Sequence, residues 1–309
     1  MRMIRQFVMA ACVAGAVSAP GARAQSSDDC ALSNAPPKSA APLAGLGALK
    51  VGVAFGSGST HGHAHIGVIQ ALEARGLEVH VVAGTSVGAI VGGLWASGYT
   101  GRQIEELGRG SSVWEGTGSF AASWQGVLSN EGLREQLAKL FAGRPIERWP
   151  RRFGAVATDL AHGRKRVLDR GDGALAIQAS SAIPVMFTPV VVAGERLGDG
   201  ALVEPVPAPT ARSLGADYVL AVDVAYRPYE AQASGIAQAG FQAMHILINA
   251  LAVEQTRGAD FVLRLDLHHR FMKCGGAALI PGGRDAVQAA WPQIEQSLRV
   301  AAQRKAAAR

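Results

Sequence analysis

The chain has little from which to build several common kinds of protein. It has three cysteines in 309 residues, and once the first 24 residues are set aside only Cys30 and Cys274 remain. These allow one disulfide, tying an N-terminal arm to a late loop, or two free thiols; the sequence leaves both open. Beyond residue 24 no stretch is apolar and long enough to cross a bilayer, which takes roughly 20 residues as a helix. No internal repeat is present. Positive charge is modest too. The formal charge of +6 falls to +3 without the first 24 residues, which carry Arg2, Arg5 and Arg23 and no acid. A charge so small and so evenly spread argues against nucleic acid as a partner.

What stands at the beginning has the layout of a targeting segment. Arg2 and Arg5 precede an apolar run, Phe7–Val17, and Ala22-Arg23-Ala24 places small residues where a signal peptidase reads. We expect residues 1–24 to be a signal peptide and the protein to be periplasmic or secreted. Met9-Ala10-Ala11-Cys12 loosely resembles a lipoprotein cleavage box but lacks its Leu. Gln25–Ala48, with Pro36, Pro37 and Pro42, reads as an extended arm. Residues 49–309 then form one domain.

Within that domain short apolar runs alternate with helical stretches. Leu49–Phe55, Val79–Ala83, Phe153–Ala157, Arg166–Leu168, Val190–Val192, Tyr218–Ala225 and Phe261–Leu265 read as strands. His65–Arg75, ending at Gly76, and Val87–Ser97, ending at Gly98, read as helices; Leu133, Leu137 and Leu140 mark a third. Such alternation predicts an α/β fold with a largely parallel sheet covered on both faces. Ala237, Phe241, Met244, Ile248 and Leu251 form one apolar helical stripe, which we expect to be core. Gly108–Gln125 reads as a surface loop whose Trp114, Phe120 and Trp124 either line a lipid-facing mouth or pin the loop down. The basic, Ala-rich Arg299–Arg309 reads as a solvated helix end.

Three elements carry chemistry. Gly84-Thr85-Ser86-Val87-Gly88 matches G-x-S-x-G between a strand and a helix, where a tight turn presents the Ser86 hydroxyl beside unpaired backbone N–H groups. The pentapeptide alone is weak in a chain with 38 glycines; its strand–turn–helix setting is the stronger signal. Gly56-Ser57-Gly58-Ser59-Thr60-His61-Gly62 follows the first strand, and such a loop can turn several backbone donors toward a developing oxyanion. His61 stands where a dinucleotide fingerprint needs its third glycine, and no Lys follows as a phosphate loop requires. His61, His63 and His65 would share a face on a strand, but a glycine loop running into a helix breaks that geometry, so no metal is expected. Asp199-Gly200-Ala201 is a polar turn after the strands near Val190 and Arg196. Asp159 and Asp223 compete with Asp199 as an acidic partner.

These blocks, with Ala64-His65-Ile66-Gly67-Val68, Ala157-Thr158-Asp159-Leu160 and Ala179-Ser180-Ser181-Ala182-Ile183-Pro184, resemble the patatin-like phospholipases in order and spacing across roughly residues 49–225. The resemblance implies a three-layer α/β/α fold with a Ser–Asp dyad and no histidine. Ser86 maps to the nucleophile, Asp199 to its base, and Gly56, Ser57, Gly58 and Ser59 to the oxyanion hole. It implies hydrolysis of carboxylic esters of lipids, of phospholipase A, lysophospholipase or esterase type; the sequence indicates no cofactor, and the expected export suggests a lipid substrate met at a membrane surface. Two departures stand out: Ser57 and Ser59 interrupt the family's consecutive glycines, and His61 replaces its usual Arg or Lys, which makes any help from that side chain pH-dependent. Two rivals are an α/β-hydrolase triad drawing on His245, His268 or His269, and a non-catalytic lipid-binding module.

Overall fold

The computed structural model describes residues 42–110, 129–225, 235–265, 267 and 278–308. The segments read above as signal peptide and most of the arm, the aromatics Trp114, Phe120 and Trp124, His268 and His269, and both Cys30 and Cys274 lie outside the described residues.

Eight strands form one sheet: β1 (Val51–Phe55), β2 (Val81–Thr85), β3 (Arg152–Asp159), β4 (Arg164–Leu168), β5 (Val190–Val192), β6 (Glu195–Asp199), β7 (Tyr218–Asp223) and β8 (Phe261–Arg264). The order is β5-β6-β3-β2-β1-β7-β8, with β4 paired to β3. Strands β3, β2, β1, β7 and β8 are mutually parallel, while β4, β5 and β6 add antiparallel pairs. The parallel strands are continuous apolar runs because both of their faces are covered. In β1, Val51, Val53 and Phe55 pack into the larger core cluster, whereas Ala54 packs on the opposite face with Val206, Ala208 and Ala211. The sheet is therefore the middle of three layers.

The larger core takes in α1 (His63–Ala74), α2 (Val87–Ala96), α3 (Gly101–Gly110), α4 (Glu131–Phe141), part of α5 (Gly173–Ser180), and α8 (Leu279–Ala307). The opposite face carries α6 (Ala208–Ser213) and, through Ala252, the end of α7 (Ile236–Gln255). Among the described residues, no helix is long and apolar enough to cross a membrane.

The edge of β3 is what places the site. β4 pairs with β3 along Ala155–Asp159 and fills one edge. On the other edge β2 runs parallel to β3 and stops at Thr85, opposite Val156. β6 takes up that same edge from the opposite direction and stops at Asp199, opposite Ala157. Two strands thus meet end to end against one neighbour, and their C-terminal residues converge.

Candidate active site

Ser86 is the single residue between β2 and α2, with φ 56° and ψ −126°. Non-glycine residues rarely hold such a conformation, which costs of order 1–3 kcal/mol and persists only where the surroundings impose it. The flanking glycines make it possible. A Cβ on Gly84 would stand 2.5 Å from the Ala89 Cα, and one on Gly88 would stand 2.1 Å from the Phe55 carbonyl oxygen. The Ser86 amide donates to Ser180 Oγ at 3.0 Å, and Ser180 Oγ in turn donates to the Val156 carbonyl at 2.5 Å. Ser181 Oγ donates to the Ser86 carbonyl at 3.3 Å. The strained turn is thereby tied to β3 and α5.

From the end of β6, Asp199 reaches the serine directly. Ser86 Oγ donates to Asp199 Oδ2 at 2.6 Å, and the Ala201 amide donates to Oδ1 at 2.8 Å. The Asp199 amide donates to the Ala182 carbonyl at 2.8 Å, and Thr158 Oγ1 donates to the Asp199 carbonyl at 2.7 Å. Both residues are buried, Ser86 at 6% exposure and Asp199 at 4%. Burial raises the Asp199 carboxyl from the usual 3.8 to about 6, against the opposing pull of the Ser86 hydroxyl and the Ala201 amide. The competing acids are engaged elsewhere. Asp159 accepts from His162 Nδ1 at 2.7 Å and from the Ala161 amide. Asp223 accepts from Arg264 Nε at 3.1 Å and from the Ala225 amide.

The glycine-rich loop divides into two parts. The Gly56 amide donates to the Val222 carbonyl at 3.0 Å and the Ser57 amide to the Pro205 carbonyl at 2.8 Å. Those two donors are committed to the scaffold and are not offered to a ligand. No hydrogen bond among the described residues uses the amides of Gly58 and Ser59, and both residues line the cavity that holds Ser86 and Asp199. Sequence reasoning missed what fixes this loop. His65 is fully buried in α1, and its Nε2 is 2.8 Å from the Gly56 carbonyl, so that nitrogen carries the proton. Burial lowers the His65 pKa to about 4 and keeps the ring neutral near neutral pH. His63 and His65 both stand on α1 and His61 in the preceding turn, not on a strand. Among the described residues, no group of three His, Cys, Asp or Glu side chains is placed to hold a metal ion.

The cavity over the pair has a volume of about 130 Å³. Its floor is Ser57–Ser59, Ser86, Asp199 and Ala201; one side is Ile183, Pro184 and Met186. Its roof is α7, through Phe241, Met244, His245, Ile248 and Asn249. Three residues of the apolar stripe expected to be core are cavity wall instead: Phe241, Met244 and Ile248 are half-buried and line the site. An apolar periodicity marks a face that avoids water, and a substrate cavity satisfies it as well as a core does.

A serine on a strand-to-helix turn, hydrogen-bonded to a buried carboxylate on a three-layer α/β fold, is an arrangement found in hydrolases. The patatin-like phospholipase family profile matches residues 53–212, which include both motifs and the glycine loop. The chain belongs to the patatin-like phospholipase family, a family of lipid ester hydrolases. It is 35% identical over 196 residues to an uncharacterized NTE family protein of Mycobacterium tuberculosis, covering 61% of this chain and 53% of that protein. It is 31% identical over 179 residues to lysophospholipase NTE1 of Yarrowia lipolytica, covering 56% of this chain and 12% of that one. The match thus spans about half the length of the mycobacterial relative and an eighth of the fungal one. VipD from Legionella pneumophila aligns with a TM-score of 0.48 and 13% identity, covering 77% of this chain and 67% of that chain.

Proposed function

We propose that this protein hydrolyses carboxylic esters of lipids by acyl transfer to Ser86. The observation that carries the reading is the 2.6 Å hydrogen bond from Ser86 Oγ to Asp199 Oδ2 on the floor of a cavity with an apolar roof. A carboxylate with an ordinary pKa of ~3.9 is a weak base in water. Burial raises the proton affinity of Asp199, so it can take the Ser86 proton as Oγ attacks the ester carbonyl. The free amides of Gly58 and Ser59 are the donors for the oxyanion that forms, aided by the first amide of α2 at Val87. Asp199 then returns the proton to the departing alkoxide, leaving an acyl group on Ser86. Water attacks that ester with Asp199 again as base, which frees the fatty acid and restores the hydroxyl.

The fungal relative is named a lysophospholipase, which supports a lipid ester as substrate. The outer face of α7 exposes Ile246 and Leu247, which supports a lipid surface as the place of encounter. The first 24 residues support export as its setting. The test is release of fatty acid from a panel of phospholipids, lysophospholipids, glycerides and simple esters, wild type against Ser86→Ala. Turnover by the wild type and none by Ser86→Ala is the expected result. Equal turnover by both would remove Ser86 from the reaction, and failure of a fluorophosphonate to label Ser86 would favour a non-catalytic lipid-binding role.

A further inference from the structure

Five residues beyond Asp199 the chain passes through a junction on which two other parts of the site hang. Thr85, the residue before the nucleophile, donates its Oγ1 proton to the Glu204 carbonyl at 2.8 Å. The Ser57 amide, in the glycine-rich loop, donates to the next carbonyl, Pro205, at 2.8 Å. The Glu204 amide closes a turn onto the Gly200 carbonyl at 2.9 Å, which links the junction to the turn bearing Asp199. Nucleophile turn, oxyanion loop and base turn are therefore referred to one short segment.

The side chain of Glu204 holds that segment still. Its exposure is 1%, so its charge requires compensation. Oε1 accepts from the Thr210 amide at 2.9 Å and Oε2 from Thr210 Oγ1 at 2.7 Å, while Lys165 Nζ lies 2.8 Å from Oε2. The three donors come from α6 and from β4, elements on either side of the junction. A carboxylate fixed by several donors from rigid elements has one orientation, and so does the backbone that carries it.

We infer that Glu204 is a positioning residue for the hydrolysis: its buried carboxylate sets the two carbonyls that hold the Ser86 turn and the oxyanion loop in register with Asp199. The inference rests on the reading of Ser86 as nucleophile. Displacements below an ångström at such a junction alter attack geometry more than they alter binding, so kcat is the sensitive quantity.

The experiment compares Glu204→Gln and Thr85→Val with Glu105→Gln in the full chain. Glu105 is also a buried carboxylate, bonded to Gln70 Nε2 at 2.7 Å, but it stands on α3 outside the cavity. Thermal unfolding, kcat and KM on para-nitrophenyl butyrate, and the rate of fluorophosphonate labelling are measured for each. Glu204→Gln is expected to lower kcat about tenfold with KM within about twofold, and to slow labelling in parallel. Thr85→Val, which deletes one hydrogen bond, is expected to lower kcat about threefold. Glu105→Gln is expected to lose thermal stability with kcat within about twofold. A folded Glu204→Gln with wild-type kcat overturns the inference, as does a loss of kcat in Glu105→Gln that matches it at equal stability loss. Should Glu204→Gln not fold, Thr85→Val decides alone. Retained turnover in Ser86→Ala would instead sink the proposed function, so the two failures are separable.

Discussion

The floor and the roof of the cavity are built on different principles. The floor is close-packed and cross-bonded: Ser86 and Asp199 are almost wholly buried, and every turn that bears them is tied to β3 by backbone or hydroxyl hydrogen bonds. The roof is a single helix whose inner side chains are half-buried and whose outer side exposes Ile246 at 47% and Leu247 at 70%. It carries no charged residue from Ile236 to Val253. Geometry that must be held within a fraction of an ångström is assigned to the sheet and its glycines. On the proposed function, selection among apolar chains, which tolerates repacking, falls to α7.

Replacing the proposed base, Asp199, breaks that division most sharply. Asp199→Asn is expected to lower kcat about 10³-fold while preserving the fold. Because the folded carboxyl titrates at about 6 and the unfolded one near 3.8, its favourable contribution to stability is complete below the unfolded value and lost as pH rises through 6. Wild-type activity should accordingly fall as pH drops below about 6. Asp199→Asn should be more stable than wild type at pH 8 by up to about 3 kcal/mol, with the gap closing near pH 4. A pH series of thermal melts checks this, and an Asn enzyme no more stable at pH 8 than at pH 4 relative to wild type would contradict it.

The next effect concerns the loop on the floor. His65→Leu leaves the buried Gly56 carbonyl without its donor, at a cost of about 1–3 kcal/mol, and should lower kcat about tenfold. His65→Gln, which can keep a donor, should recover part of both, read by melts and by ester turnover. His245→Ala on the roof is expected to change turnover of a soluble ester less than about threefold. A loss above about 10²-fold would instead place His245 in proton transfer. The smallest effect on kcat is expected from Met244→Ala or Ile248→Ala. These should leave kcat on para-nitrophenyl butyrate within about twofold and shift kcat/KM toward longer acyl chains by about three- to tenfold.

Legibility followed the same division. The strand–turn–helix run through residues 49–97 was readable because glycines end its elements and its apolar runs differ in length. The Ser86 turn was readable because its neighbours are small for steric reasons, whereas Asp199 was set apart from Asp159 and Asp223 only by the family resemblance. Helix α5 was not foreseen as an element, although Asp172 caps it by accepting from the Ala174 amide at 2.9 Å and the Leu175 amide. The role of α7 could not be read, since the spacing of Phe241, Met244 and Ile248 is the same whether they face a core or a cavity. The carbonyls that Glu204 and Pro205 present are common to every residue type, and nothing in the sequence marks that the Glu204 carboxylate is buried against Thr210 and Lys165. The split within Gly56–Ser59, two amides committed and two free, likewise depends on where Val222 and Pro205 lie in space.

The abutment of β2 and β6 on β3 has an evolutionary corollary. Residues 86 and 199 approach one another at a spacing set along a third strand, so inserting or deleting one residue within Arg152–Asp159 would part the two strand ends and reverse the facing of the residues beyond the change. A relative altered in that way would keep both Ser and Asp and lose their meeting, and the length of that strand would reveal it.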